Sequence, residues 1–126
     1  MAHSFHHIHL RAEDPRKTAQ WYVDMFDAQA GPERDLRGAL TVPVKLDGIT
    51  LSISGPRATE TLTPGSDNLR FGLDHFAVGT DDLARDLAKL KKAGGKVLLE
   101  STMPGGPKIA FIAGPDSVRI ELLQVL

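Results

Sequence analysis

The sequence predicts an α+β fold built from two tandem βαβββ copies. Three observations carry that expectation. Two apolar segments that each contain a histidine, FHHIHLRAEDP and GLDHFAVGTDD, look like copies of one another. Each is followed by an Asp and then by a helical pattern: His75 follows His7, and Asp82 follows Asp14, by the same interval of 68 positions (75 − 7 and 82 − 14). After each helical pattern come segments of alternating polarity separated by turn residues. Repetition of this kind governs the fold and is weighed before any single element.

The first copy opens with a strand over 5–11. Ile8 and Leu10 share one face, and Phe5, His7 and His9 share the other. Asp14-Pro15 supplies an N-cap and a favoured first helical residue. Ala19, Tyr22, Val23 and Phe26 then recur at helical spacing over 15–28, and Gly31-Pro32 is expected to end the helix. Tyr22 is expected in the core, with Trp21 partly exposed. Residues 39–46 and 49–54 alternate around Asp47-Gly48, a strong hairpin signal.

The second copy begins with a strand over 73–79, Phe76 and Val78 on one face and His75 and Ala77 on the other. Asp81-Asp82 caps a helix whose Leu83, Leu87 and Leu90 form one stripe, and Gly94-Gly95 stops it. Strands over 96–100, 108–113 and 118–125 follow, divided by Pro104-Gly105-Gly106-Pro107 and Gly114-Pro115-Asp116-Ser117. The copies thus span about 4–54 and 73–126 of one domain. Residues 55–72, rich in Gly, Pro, Thr and Ser, read as a connector able to form a surface loop over a site.

Composition narrows the function. The 126 residues suffice for one core, with 41% hydrophobic and 25% charged residues, as in an ordinary globular protein. A net charge of −1 offers no footprint for nucleic acid. The absence of cysteine excludes disulfides, zinc–thiolate sites and a cysteine nucleophile. No stretch has the length of a membrane span or the form of a signal peptide, so a cytoplasmic protein is the expectation.

The chemistry concentrates in His7, His75 and Glu121 of GPDSVRIELLQ. Each stands opposite its aliphatic neighbours on a strand. Two imidazoles and a carboxylate are the ligand set of a catalytic divalent metal with open positions. Iron, manganese, nickel, cobalt and zinc all accept such ligands. His9 shares a face with His7 and is a candidate general base, its free pKa being near neutrality. Arg119 shares a face with Glu121. Neither a dinucleotide fingerprint nor a phosphate loop is present.

HHIHLRAEDPRKTAQWYVDMF, DHFAVGTDD and AFIAGPDSVRIELLQ together resemble the vicinal oxygen chelate superfamily, which includes glyoxalases, fosfomycin-resistance proteins, extradiol dioxygenases and bleomycin-resistance proteins. The likeness covers nearly the whole chain, with Gly-Pro-Asp-Ser in place of the family's Asp-Pro-Asp-Gly turn. It implies two modules forming a curved, mostly antiparallel sheet cup. It implies one divalent metal held by His7, His75 and Glu121, and a homodimer with cups formed within or between chains. The fourth, carboxylate or amide ligand of glyoxalases falls on the strand of Thr50 and Ser52; either could occupy its place, and neither is a carboxylate or an amide. Lys108 and Arg119 lie on strands bounding the same cup, where either could hold an anionic substrate.

The resemblance implies an enzyme that chelates a small oxygenated substrate. Lyase or isomerase chemistry through a metal-bound enolate leads. An extradiol-type ring-cleaving dioxygenase is the nearest alternative; the family's dioxygenases are commonly longer. Thiol transfer and metal-free drug binding are further alternatives. Fosfomycin-resistance proteins carry a longer segment after the final ligand, and drug-sequestering proteins generally lack the ligand residues.

Overall fold

The computed structural model describes residues 2–102 and 104–125. The chain divides into two units, Met1–Thr63 and Pro64–Leu126. Both are α+β; the second follows a βαβββ plan, and the first a βαβββ-like plan with one additional short strand.

In the first unit, β1 (His7–Arg11) leads into α1 (Pro15–Phe26). The Asp14 carboxylate accepts from the Lys17 amide at 3.2 Å and satisfies a donor that the first helical turn leaves over. The helix stops earlier than the Gly-Pro pair predicts. Asp27 takes a left-handed conformation (φ 56°, ψ 30°), and its amide bonds the Val23 carbonyl. Aspartate tolerates that conformation better than most residues, so Asp27 and not Gly31-Pro32 ends the helix.

The chain then forms two short strands absent from the sequence reading, β2 (Gln29–Ala30) and β3 (Arg34–Leu36), and the hairpin β4 (Ala39–Leu46) and β5 (Ile49–Ser54). β2 and β3 both pair with β4, β4 pairs antiparallel with β5, and β5 pairs parallel with β1. Period-2 alternation separates the faces. Leu51, Ile53, Val42 and Val44 are buried on one side, as are Ala19, Tyr22 and Met25 of α1. The other face of β1 and β5 carries His7, His9, Thr50, Ser52 and Ser54.

The second unit repeats the plan. β6 (Phe76–Gly79) is followed by α2 (Leu83–Lys92), then β7 (Lys96–Thr102), β8 (Lys108–Ala113) and β9 (Arg119–Gln124), ordered β6-β9-β8-β7. β6 and β9 run parallel, as β1 and β5 do. Leu83, Leu87 and Leu90 of α2 are buried, as are Ala110, Ile112, Ile120 and Leu122 of the sheet. Asp82 caps α2 by accepting from the Arg85 amide at 3.0 Å. Gly95 is required after that helix: a Cβ there would stand 2.3 Å from Leu90 Cδ1.

The second leading strand is shorter than its apolar pattern predicts. Residues 115–117 curl into a 3-10 turn, so β9 begins only at Arg119, and the ladder starts at Phe76↔Ile120. His75 stands one residue before the strand.

Candidate metal centre

The second unit brings His75 and Glu121 together. Glu121 lies on β9 between Ile120 and Leu122, whose side chains are fully buried. Alternation turns its carboxylate to the opposite face, beside Phe111 of the adjoining strand. There His75 Nε2 lies 2.9 Å from Glu121 Oε1. The other ring nitrogen, Nδ1, lies 2.6 Å from Asp74 Oδ2. Phe111 meets the imidazole edge-on, ring centroids 4.8 Å apart.

Arg119 closes this cluster. Its side chain is 14% exposed, and Nε lies 3.7 Å from Asp74 Oδ2. Nη1 donates to the Asp67 carbonyl at 3.3 Å, and the guanidinium carbon sits 5.1 Å from the Phe111 ring centre. The hydrogen bond with His75, aided by the Arg119 and Arg70 cations, holds the Asp74 carboxyl below its ordinary range.

His75 and Glu121 are two donors of the kinds that a divalent cation takes. A neutral imidazole has one N–H, yet both nitrogens of His75 face carboxylate oxygens. One of the two contacts therefore needs a second proton or a cation. Two ligand atoms about 2.1 Å from one ion and at a right angle stand roughly 3.0 Å apart. The separation between His75 Nε2 and Glu121 Oε1 is close to that value.

The first unit carries the other candidates. His7 Nδ1 lies 2.8 Å from His6 Nδ1. His9 Nε2 lies 2.5 Å from the buried Ser54 hydroxyl, and the His7 and His9 rings are 6.0 Å apart. Burial, with His7, Arg11 and Arg57 nearby, lowers the His9 pKa from the ordinary 6.5. Ladder register distinguishes Thr50 from Ser52 by their counterparts in the second unit. Glu121 pairs with Ala77, and the 68-residue repeat maps Ala77 onto His9, whose partner is Ser52. Ser52 thus occupies in β5 the place that Glu121 occupies in β9. Within either unit, among the described residues, no three His, Asp or Glu side chains gather as a metal site.

Lys108 requires a correction. It pairs with Gln124 and shares the parity of Ala110 and Ile112, so it lies on the face opposite Glu121.

Sequence reasoning missed Asp74, Phe111 and Ser54. Asp74 directly precedes the candidate ligand, a signal passed over because neighbouring strand residues point to opposite faces; outside the strand that rule does not apply. It also missed how the connector is tied down. Arg11 Nη2 donates to the Gly55 carbonyl at 3.1 Å and binds the Glu60 carboxylate. The Arg57 amide donates to Glu60 at 2.8 Å, and its guanidinium bonds the carbonyls of Leu36 and Arg37 at 3.0 and 2.9 Å. Arg11, more than Arg57, pulls the Glu60 pKa down to about 2.

Residues 4–122 match the family model described as the Glyoxalase/Bleomycin resistance protein/Dioxygenase superfamily. A Synechocystis protein named "Probable lactoylglutathione lyase" is 29% identical over 124 residues, covering 94% of this chain and 92% of that one. Lactoylglutathione lyase GLX1 of Arabidopsis thaliana is 26% identical over 95% of this chain, which spans only 44% of its length. Among solved structures, a glyoxalase family protein from Bacillus cereus aligns with a TM-score of 0.87 at 11% identity, covering 100% of this chain and 99% of that one. A variant of the fosfomycin resistance protein FosX from Listeria monocytogenes, complexed with Mn(II) and a dihydroxypropylphosphonic acid, aligns at 0.79 with 17% identity, covering 100% and 95%. At these identities the two structures are alike in fold alone.

Proposed function

The chain belongs to the glyoxalase/bleomycin resistance protein/dioxygenase superfamily, and from that membership we propose that it is a divalent-metal-dependent enzyme acting on a small oxygenated substrate. The metal ligands are His7, His75 and Glu121. The observation that carries the reading is the pairing of His75 Nε2 with Glu121 Oε1 at 2.9 Å while Nδ1 is already engaged by Asp74. His7 enters as the repeat equivalent of His75, from the same chain or from the partner in a homodimer. Light scattering tests the homodimer: a monomer at micromolar concentration rules it out.

When bound, the ion supplies Lewis acidity to a substrate carbonyl or other vicinal oxygens. The chain's residues do the rest. His9, whose pKa is lowered by burial and by neighbouring His7, Arg11 and Arg57, takes a proton from the carbon beside that carbonyl and returns it at another position. With Nε2 engaged by Ser54, Nδ1 is the atom that receives it. Arg119 holds an anionic group of the substrate. This is glyoxalase-like lyase or isomerase chemistry, as the name of the Synechocystis relative also favours.

Ser52 favours one second reading. It leaves the first unit without the carboxylate that glyoxalases of this family use in proton transfer, which points to an extradiol-type ring-cleaving dioxygenase. Oxygen uptake with catechols separates the two.

The primary test is elemental analysis and metal titration of wild type, His7→Ala, His75→Ala and Glu121→Ala. One divalent ion per chain in wild type, and loss in each folded variant, is expected. Full occupancy in His75→Ala overturns the proposal.

A further inference from the structure

Both candidate ligand histidines meet a polar side chain at the same atom, and in both cases it belongs to the preceding residue. Asp74 Oδ2 lies 2.6 Å from His75 Nδ1. His6 Nδ1 lies 2.8 Å from His7 Nδ1. His6 and Asp74 are themselves repeat equivalents, 68 positions apart (74 − 6). Different chemistry at one place in two copies, aimed at the same ring nitrogen, marks a shared task. We propose that Asp74 and His6 are positioning residues: each accepts the Nδ1 hydrogen of the histidine that follows it and so reserves Nε2 as the metal-binding atom. This rests on the metal reading above and extends it to two residues that touch neither ion nor substrate.

The physical reason is tautomer and torsion. A neutral imidazole carries its hydrogen on one nitrogen, and an acceptor at Nδ1 keeps it there, leaving the Nε2 lone pair for a cation. The same bond fixes the ring about its two side-chain torsions. For His75 the edge contact with Phe111 limits rotation further.

The two devices differ in strength. Asp74 offers a charged acceptor and is itself oriented by Arg119, whose guanidinium is held by the Asp67 carbonyl and stacked over Phe111. His6 offers a neutral ring nitrogen on an exposed stretch of chain. Charged acceptors make the stronger hydrogen bond. Asp74 should therefore contribute more than His6, and Arg119 should act through Asp74.

The test uses the full chain and has two readouts. Long-range nitrogen–proton spectra at about pH 8, where free imidazoles are neutral, report the ring tautomers without metal. Calorimetric titration with Zn(II) and with Mn(II) alone reports affinity. In wild type the His75 ring should carry a hydrogen on Nδ1, any second proton lying on Nε2 toward Glu121 until a metal displaces it. Asp74→Ala should shift the Nδ1 hydrogen toward Nε2 and weaken metal binding about 10–100-fold. Asp74→Asn, which keeps an acceptor oxygen, should restore the tautomer and most of the affinity. His6→Ala should do the same to His7 on a smaller scale.

An unchanged His75 tautomer in Asp74→Ala overturns the proposal, as does unchanged affinity for both ions. If wild type binds neither ion yet Asp74→Ala still moves the hydrogen, the metal reading fails while the positioning role of Asp74 stands.

Discussion

Adjacent residues of β9 should fail in opposite ways. Leu122 is fully buried among the core residues of the second unit, and Glu121 faces the other side beside His75. Truncating a fully buried leucine to alanine costs about 2–5 kcal/mol, the lost burial plus the cavity left behind. At roughly 2.1 cal/mol/K of unfolding entropy per residue, a chain of this length loses about 4 °C of Tm per kcal/mol, so Leu122→Ala should lower Tm by about 8–19 °C. The fold that survives keeps Glu121 and His75 in register, because the β8–β9 ladder is made by backbone groups. Zn(II) affinity measured below the melting transition should change less than about threefold. Glu121→Ala opens no core cavity and should move Tm by no more than about 1 kcal/mol equivalent, about 4 °C, while metal binding falls below detection. Calorimetry for stability and for Zn(II) binding, run on both variants, checks the pair. If Glu121→Ala melts as low as Leu122→Ala, or if folded Leu122→Ala loses the metal, the assignment of faces on β9 is wrong.

Three further outcomes follow from the geometry. His9→Ala should lose turnover while keeping metal, and His9→Gln should keep substrate binding without proton transfer. Since the base must be unprotonated and its pKa is lowered, the acid limb of kcat should lie below the ordinary 6.5; wild-type turnover in His9→Ala would remove the base from the scheme. Ser52→Glu should place a carboxylate at the counterpart of Glu121 and raise Zn(II) affinity by about tenfold or more, read by calorimetry, with a lower Tm in the metal-free protein because a carboxylate is buried. Glu60 has a folded pKa lowered from 4.5 to about 2, so its grip on Arg11 contributes stability fully above about 4.5 and loses it as pH falls toward 2. The protection of the 55–60 amides against hydrogen exchange, taken relative to their intrinsic rate at each pH, should fall across that window in wild type and be low at every pH in Glu60→Gln.

The legible part of this protein was whatever its local pattern repeats. The hairpin 39–46 and 49–54 was delimited by alternation and Asp47-Gly48 and stands where expected. Both Asp caps were legible because an Asx side chain before a helix has one dominant use. The repeat of the two histidine segments revealed the paired plan, and alternation along β9 set Glu121 on the face away from Ile120 and Leu122, where His75, one residue before β6, meets it.

Only tertiary structure decided the rest, wherever the outcome depended on what lies opposite. A pattern of alternation reveals faces but not partners. The ladder pairing His9 with Ser52 and Ala77 with Glu121 was needed to see that Ser52, and not Thr50, is the counterpart of Glu121, and the pairing of Lys108 with Gln124 was needed to see that Lys108 lies on the face opposite Glu121. The early end of α1 at Asp27 turned on a backbone conformation that several residue types can take. The late start of β6 turned on the absence of a paired strand before Arg119, and that left Asp74 outside the pleat, free to reach the Nδ1 of its own neighbour. Local sequence sets which side chains share a face; the register of distant strands sets which of them meet.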